Sequence, residues 1–400
     1  MIDDLTLAAE FPGLTRAEWM KRVEAVLKGA GLGETLVRTT ADGIRLEPLY
    51  GQQAGPRAAR AADAPWTIFQ RVDHPDAARA NVLARDDLTN GTTGLVLVSF
   101  DAATARGHGI DPRRLARVLQ GVHLYAVALK VEGGASMALA ELIATQPIDP
   151  ERMDVSFAVT SPTDAAELAR MGFAGPYMEA DGRSWHEQGA TDGQELGAAL
   201  ATAVASLRAL ETLNDVHLSR AIGVTLAATQ DMFATLAKFR AMRLMWRRVL
   251  DVAGLPDAPL TLHAETSWRM MAVKDPHTNI LRATAAVFGA ALGGADSVTV
   301  LPFPLAQGLP NAFARRVARN VQNVLSAESN LWRVADPASG AGFIETYTEA
   351  LCEKAWKVFQ DAEAGDWPVP DPTSAGVLPV IGTTAYPLAQ EYAPETEPLS

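Results

Sequence analysis

Seven histidines stand in the 400-residue chain: His74, His108, His123, His186, His217, His263 and His277. Imidazole is the side chain whose ordinary titration lies nearest neutral pH, so these are the first candidates for acid–base work or metal binding. Their spacing argues against a metal. No HExxH pair is present, and one cysteine, Cys352, cannot build a Cys/His zinc set. No GxSxG elbow offers a serine nucleophile. Three histidines sit where a catalytic scaffold would use them. His263 lies in LTLHAETS, near the C-terminal end of a strand-like segment. His186, in WHEQGA, follows the strand-like PYMEADG. His108, in ARGHGIDP, lies between glycines in a loop after TGLVLVSFD, which reads as the first barrel strand. Two of them also have an ordinary reading, a hydrogen-bonded core imidazole for His263 and a solvated one for His108. FARRVARN adds Arg315, Arg316 and Arg319 at helical spacing, a cationic face open to solvent or to an anion.

The elements that would carry these residues alternate. Residues 14–29 read as a helix capped by Thr15, with Trp19, Val23 and Val26 on one stripe. TTADGIRLEPLYG follows as a strand ending in a turn, then the Ala/Gly/Pro-rich stretch 51–64 as a surface connection. From residue 65 to about 305, strand-like segments alternate with helical ones. TGLVLVSFD, VHLYAVALK, RMDVSFAVT, PYMEADG, AIGVTLAAT, LTLHAETS and SVTVLPF are the strands, which predicts a parallel sheet. Seven are clear. A closed (β/α)8 TIM barrel needs eight, placing the unseen one between 129 and 176; an open doubly wound sheet is the alternative.

The glycine pair in GAALGGADSVTVLPF, Gly293 and Gly294, tests for a phosphate cradle. Such a cradle runs from strand through glycines to a helix N-terminus. Here the order is reversed. Asp275 and Pro276 read as the start of a helix, Ile280, Leu281, Thr284, Val287, Phe288, Ala291 and Leu292 as its apolar face, and the glycines as its C-cap. No nucleotide motif remains.

Bulk composition narrows the class. Hydrophobic residues make up 48% and charged residues 20%, as in a globular chain with a sizeable core. The net charge of −12 disfavours nucleic acid as a partner. A lone cysteine predicts a reducing compartment. The acidic N-terminus lacks the pattern of a secretory signal, and no apolar run approaches the roughly 20 residues of a membrane span. A cytoplasmic location is expected, with no membrane partner.

In order, these segments resemble the methylmalonyl-CoA mutase family over about residues 11–365. The strongest blocks are HAETSWRMMAVKDPHTNILRATAAVFGAALGGADSVTVLPF and GLPNAFARRVARNVQNVLSAESNLWRVADPASGAGFIETYTEALCEKAWKVFQDAE, with FPGLTRAEWMKRVEAVLKG, DGIRLEPLYG, PWTIFQ and HEQGATDGQELGAAL alongside. The likeness is greatest to the small subunit of bacterial heterodimeric mutases. It implies a (β/α)8 barrel over 65–365, an N-terminal arm and linker over 1–64, and a short irregular Pro-rich tail over 366–400 without a cobalamin domain.

The resemblance also implies a chemistry: radical rearrangement of an acyl-CoA thioester by adenosylcobalamin, with coenzyme A in the barrel's axial channel. His108 replaces the tyrosine of the family's RGY motif. His186 matches the histidine that contacts the thioester. Thr67 is kept beside Phe69, which replaces a channel arginine. HAETSW, with His263, Glu265 and Ser267, matches HSQTSG. The carboxylate-binding arginine and the cobalt-ligating DxHxxG motif find no match, DVHLSR at 215–220 being the nearest string. The expected role is a non-catalytic small subunit in a heterodimer with a large cobalamin-carrying chain, which supplies the adenosylcobalamin. Two readings stand beside it: an active acyl-CoA mutase barrel served by a separate cobalamin-binding protein, and a free-standing CoA-binding protein.

Overall fold

The computed structural model describes residues 13–60, 64–373 and 380–397. Residues 1–12 and 61–63 of the expected arm and linker, and 374–379 and 398–400 of the expected tail, lie outside the described residues.

The first element among the described residues is the helix Arg16–Leu27, set by a capping box in which Thr15 and Glu18 satisfy each other's backbone N–H groups. A small antiparallel hairpin follows, β1 (Arg38–Thr39) and β2 (Arg45–Leu46). Eight parallel strands then form one sheet: β3 (Thr67–Val72), β4 (Gly94–Val98), β5 (Ala128–Glu132), β6 (Val155–Ser156), β7 (Met178–Asp181), β8 (Ile222–Ala228), β9 (Thr261–Thr266) and β10 (Ser297–Thr299). β3 pairs with both β4 and β10, so the last strand returns to the first. The remaining seam, between β6 and β7, is closed by Phe157 N–H to Pro176 O at 2.9 Å and Val159 N–H to Tyr177 O at 3.1 Å. The result is the (β/α)8 barrel.

The eighth strand is β3, not a segment between 129 and 176. TIFQRV carries Gln70 and Arg71, both buried, which interrupt the apolar run that marks β4 and β8 as strands covered on both faces. β4 is therefore the second barrel strand, and His108 follows the second strand rather than the first.

The helix over Thr278–Leu292 starts later than the sequence suggests. His277 is its N-cap, while Asp275 adopts a positive φ of 43° in the turn before it. Its buried face runs through Ala283, Ala286, Val287 and Ala290, and Leu281 is solvent-exposed. The glycines do close this helix. Gly293 is the C-cap, and Gly294 takes φ 94° before β10. Gly293 also allows close helix contact: a Cβ there would lie 2.7 Å from Leu236 O, on the helix Met232–Ala253.

Candidate functional site at the barrel axis and carboxyl rim

Alternation along a strand sends every second side chain inward. In β5 and β9 this places Lys130, Glu132, His263 and Glu265 inside the barrel, where apolar residues would be the default. Charges buried this way must be paired. Lys130 pairs with Glu179 of β7, which also accepts from Thr225 of β8. Nearer the carboxyl rim, Arg71 of β3 and Arg183 share two carboxylates. Glu265 Oε2 is 3.1 Å from Nη1 of each, and Glu132 lies 2.8 Å from Arg183 and 3.6 Å from Arg71. Asp73 and Asp181 close the cluster at 3.2 and 2.8 Å. Burial opposes ionisation of Glu132, but Arg183 and Arg71 outweigh it and hold its carboxyl well below the usual range.

These side chains fill the axis. The void lined by Lys130, Glu179, Thr225, His263 and Ser297 measures about 10 Å³, at the threshold for a single water. Phe69 adds its ring to the same interior, 5.5 Å from that of His263 and packed over Gly94.

The expected site residues separate into groups. His186 and Ser267 come together: His186 Nε2 is 2.7 Å from Ser267 Oγ, with both residues buried. His186 sits in the short helix Arg183–Glu187 after β7, and Ser267 directly follows β9. Behind them, Glu195 Oε2 lies 3.5 Å from His186 Nδ1 and 2.7 Å from Lys238 Nζ. Burial opposes the Glu195 charge, yet Lys238 and His186 bring its pKa down to about 2.

Glu265 belongs to the arginine cluster. His263 lies deeper, with Nδ1 2.8 Å from Ser297 Oγ and Nε2 3.1 Å from Thr299 Oγ1. Burial, then the charges of Lys130 and Arg183, push its pKa well below the ordinary value, so it is a neutral core imidazole at neutral pH. Thr67 opens β3 at the opposite end of the barrel, its N–H bonded to Asp296 O at 2.9 Å. His108 is half-buried in the loop after β4.

Arg315 and Arg319 form neither a solvated face nor an open anion site. Both are buried and paired with Asp87.

Arg106, which sequence reading passed over, links the rim loops. It bonds Glu187 Oε1 at 2.6 Å and stacks over Trp268 at 4.4 Å, joining the segments after β4, β7 and β9. The available signal for Arg71 and Glu132 was a charge at the carboxyl end of an otherwise apolar strand.

No helix among the described residues is long and apolar enough to cross a membrane. The family model described as Methylmalonyl-CoA mutase matches residues 177–365. The methylmalonyl-CoA mutase small subunit of Streptomyces virginiae is 37% identical over 99% of this chain and 74% of its own length. The small subunit of Propionibacterium freudenreichii subsp. shermanii is 32% identical over 90% of this chain, which spans 64% of that relative. The protein named methylmalonyl-CoA mutase in Rhizobium meliloti is 27% identical over 88% of this chain and 58% of its own length. Identity, coverage and barrel agree: the chain belongs to the methylmalonyl-CoA mutase family, in its small-subunit branch.

Proposed function

We propose that this chain is a non-catalytic small-subunit barrel that pairs with and supports a larger, cobalamin-carrying mutase chain. The observation that carries this reading is the filled axis. A pantetheine arm needs a continuous channel, and Lys130–Glu179 and the Arg71/Arg183 cluster occupy that space. Opening it would strip buried charges of their partners, at a cost of about 3–5 kcal/mol for each broken pair. The same obstruction counts against an active barrel served by a separate cobalamin protein and against a free-standing CoA carrier.

The cofactor reading follows the same line. Among the described residues, the nearest match to the cobalt-ligating motif contains His217. Its Nδ1 lies 2.7 Å from the hydroxyl of Tyr177, and the two rings stack. His217 lies in the short helix Asp215–Leu218 just before β8, at the amino end of the barrel rather than its carboxyl rim, and adenosylcobalamin is assigned to the partner chain.

The arm supports the pairing. The helix Arg16–Leu27 buries none of its residues within this chain, and Val26 is 77% exposed. An isolated helix of this length is marginal in water and needs a surface. The partner's barrel is the surface assigned here.

Purifying the intact chain from its native cell and weighing what comes with it tests the reading. A larger mutase chain in equal amount is expected, lost when residues 1–50 are removed. Recovery of the intact chain alone would sink the proposal. Full recovery after the deletion would move the contact elsewhere.

A further inference from the structure

The carboxyl rim of a barrel is where function is normally placed. In this chain the rim is crossed by residues 366–373 and 380–397. The crossing is anchored at four places. Trp367 stacks on Trp185, centroids 5.6 Å apart and planes at 6°, one residue before His186. Pro372 lies against Gly189: a Cβ on that glycine would come within 2.5 Å of its backbone. After β9, Ile381 O accepts from Arg282 at 2.6 Å, Glu391 accepts from Asp275 N–H at 3.1 Å, and Tyr392 stacks on His277. After β10, Glu397 N–H donates to Leu309 O at 2.7 Å, and its carboxylate meets Arg79 Nε, beyond β3, at 2.6 Å. The segment thus touches the rim beyond the fifth, seventh, eighth and first barrel strands.

Its hold is made of discrete contacts rather than apolar burial. Among its described residues only Gly382 is buried, while Val369, Ile381 and Tyr386 stand in solvent. Segments with few buried contacts open at low cost compared with the core they cover.

We propose that this segment is a displaceable strap that occludes the barrel's carboxyl rim, so that a ligand or a second protein domain reaches the His186–Ser267 pair only after the strap lifts. Arg79–Glu397 is its electrostatic latch, and Gly382 is its seat. That seat admits no side chain: at φ 81°, a Cβ on Gly382 would lie 2.4 Å from Asp275 Oδ2. The strap acts on the rim of this chain alone. It is independent of the heterodimer reading, and failure of either leaves the other standing.

The test uses the full chain and two independent ways of lifting the strap. Arg79→Glu reverses the latch, and adding Glu397→Arg restores it with opposite sign. Gly382→Val unseats the strap without altering any rim side chain. Amide hydrogen exchange is followed over 183–190, 272–278 and 305–311, with β8 as an internal reference, and carbethoxylation of His186 is mapped by mass spectrometry. On the order of tenfold faster exchange in those rim segments is expected for R79E and G382V, with β8 unchanged and His186 labelled faster. R79E/E397R should return to the protection of the unaltered chain. If R79E and G382V fold and show unaltered exchange and labelling, the strap does not occlude the rim. The same conclusion follows if the charge swap fails to restore protection that R79E removed.

Discussion

His186 Nε2 and Ser267 Oγ meet at 2.7 Å although 81 residues separate them in the chain. Both are buried, so neither can exchange its partner for water when one is removed. Ser267→Ala should destabilise the fold by about 1–2 kcal/mol, the cost of a buried polar group left unpaired. His186→Ala should cost more, about 2–4 kcal/mol, because it adds a cavity to the lost bond. Urea unfolding of the two single variants and the double variant would measure their coupling. Strict additivity would show that the contact contributes nothing.

The arginine cluster predicts a loss without rescue. Glu132→Gln removes the carboxylate that Arg183 meets at 2.8 Å and should cost about 3–5 kcal/mol. Removing Arg183 as well, as Glu132→Gln with Arg183→Met, should not recover that loss, since Asp181 and buried Glu265 then lose the guanidinium they share. Chemical denaturation midpoints decide between recovery and a simple sum.

Glu195 sets an acid limit. Its folded pKa of about 2 lies below its ordinary value of 4.5, so its stabilisation is complete above about 4.5 and is lost as pH falls through about 2. The shift corresponds to on the order of 3 kcal/mol at neutral pH. Glu195→Gln should therefore be less stable at neutral pH and lose less on acidification. Equal acid slopes for the two proteins, measured by urea midpoints across that window, would place the acid sensitivity elsewhere.

Gly293→Val should be poorly tolerated. Its Cβ would enter within 2.7 Å of Leu236 O and 2.9 Å of Phe239 Cβ, forcing two helices apart. Overpacking of this kind costs about 1–3 kcal/mol. A thermal midpoint unchanged from that of the unaltered chain would contradict the packing described.

The filled axis predicts that free coenzyme A binds, if at all, more weakly than about 1 mM, equivalent to about −4 kcal/mol. Isothermal titration with coenzyme A checks this, and a micromolar constant would refute the obstruction.

What the sequence disclosed followed local rules. Thr15 announced the first helix, and the unbroken apolar run of β4 announced a strand covered on both faces. What it concealed depended on distant partners. β3 hid behind Arg71, whose buried charge is balanced by nearby Asp73 together with Glu132 and with Glu265, 194 positions later. Arg315 looked like surface because Asp87 lies 228 positions away. His263 read as a candidate for chemistry until Ser297 and Thr299, on the neighbouring strand, accounted for both its nitrogens. The closeness of His186 and Ser267 was equally invisible, since no short motif links two loops that only the barrel brings together.

The closure between β6 and β7 has an architectural consequence. Seven of the eight neighbouring strand pairs are joined by regular ladders, and this one relies on loop backbone flanking a two-residue strand. The chain is therefore two four-stranded half-barrels, β3–β6 and β7–β10, hinged along the β3–β10 ladder. New termini introduced between Ser161 and Phe173 would cut where the fewest strand bonds are at stake. The two fragments, produced together, should reassemble by complementation, whereas a cut between β8 and β9 would leave a long hydrophobic edge with no partner of its own.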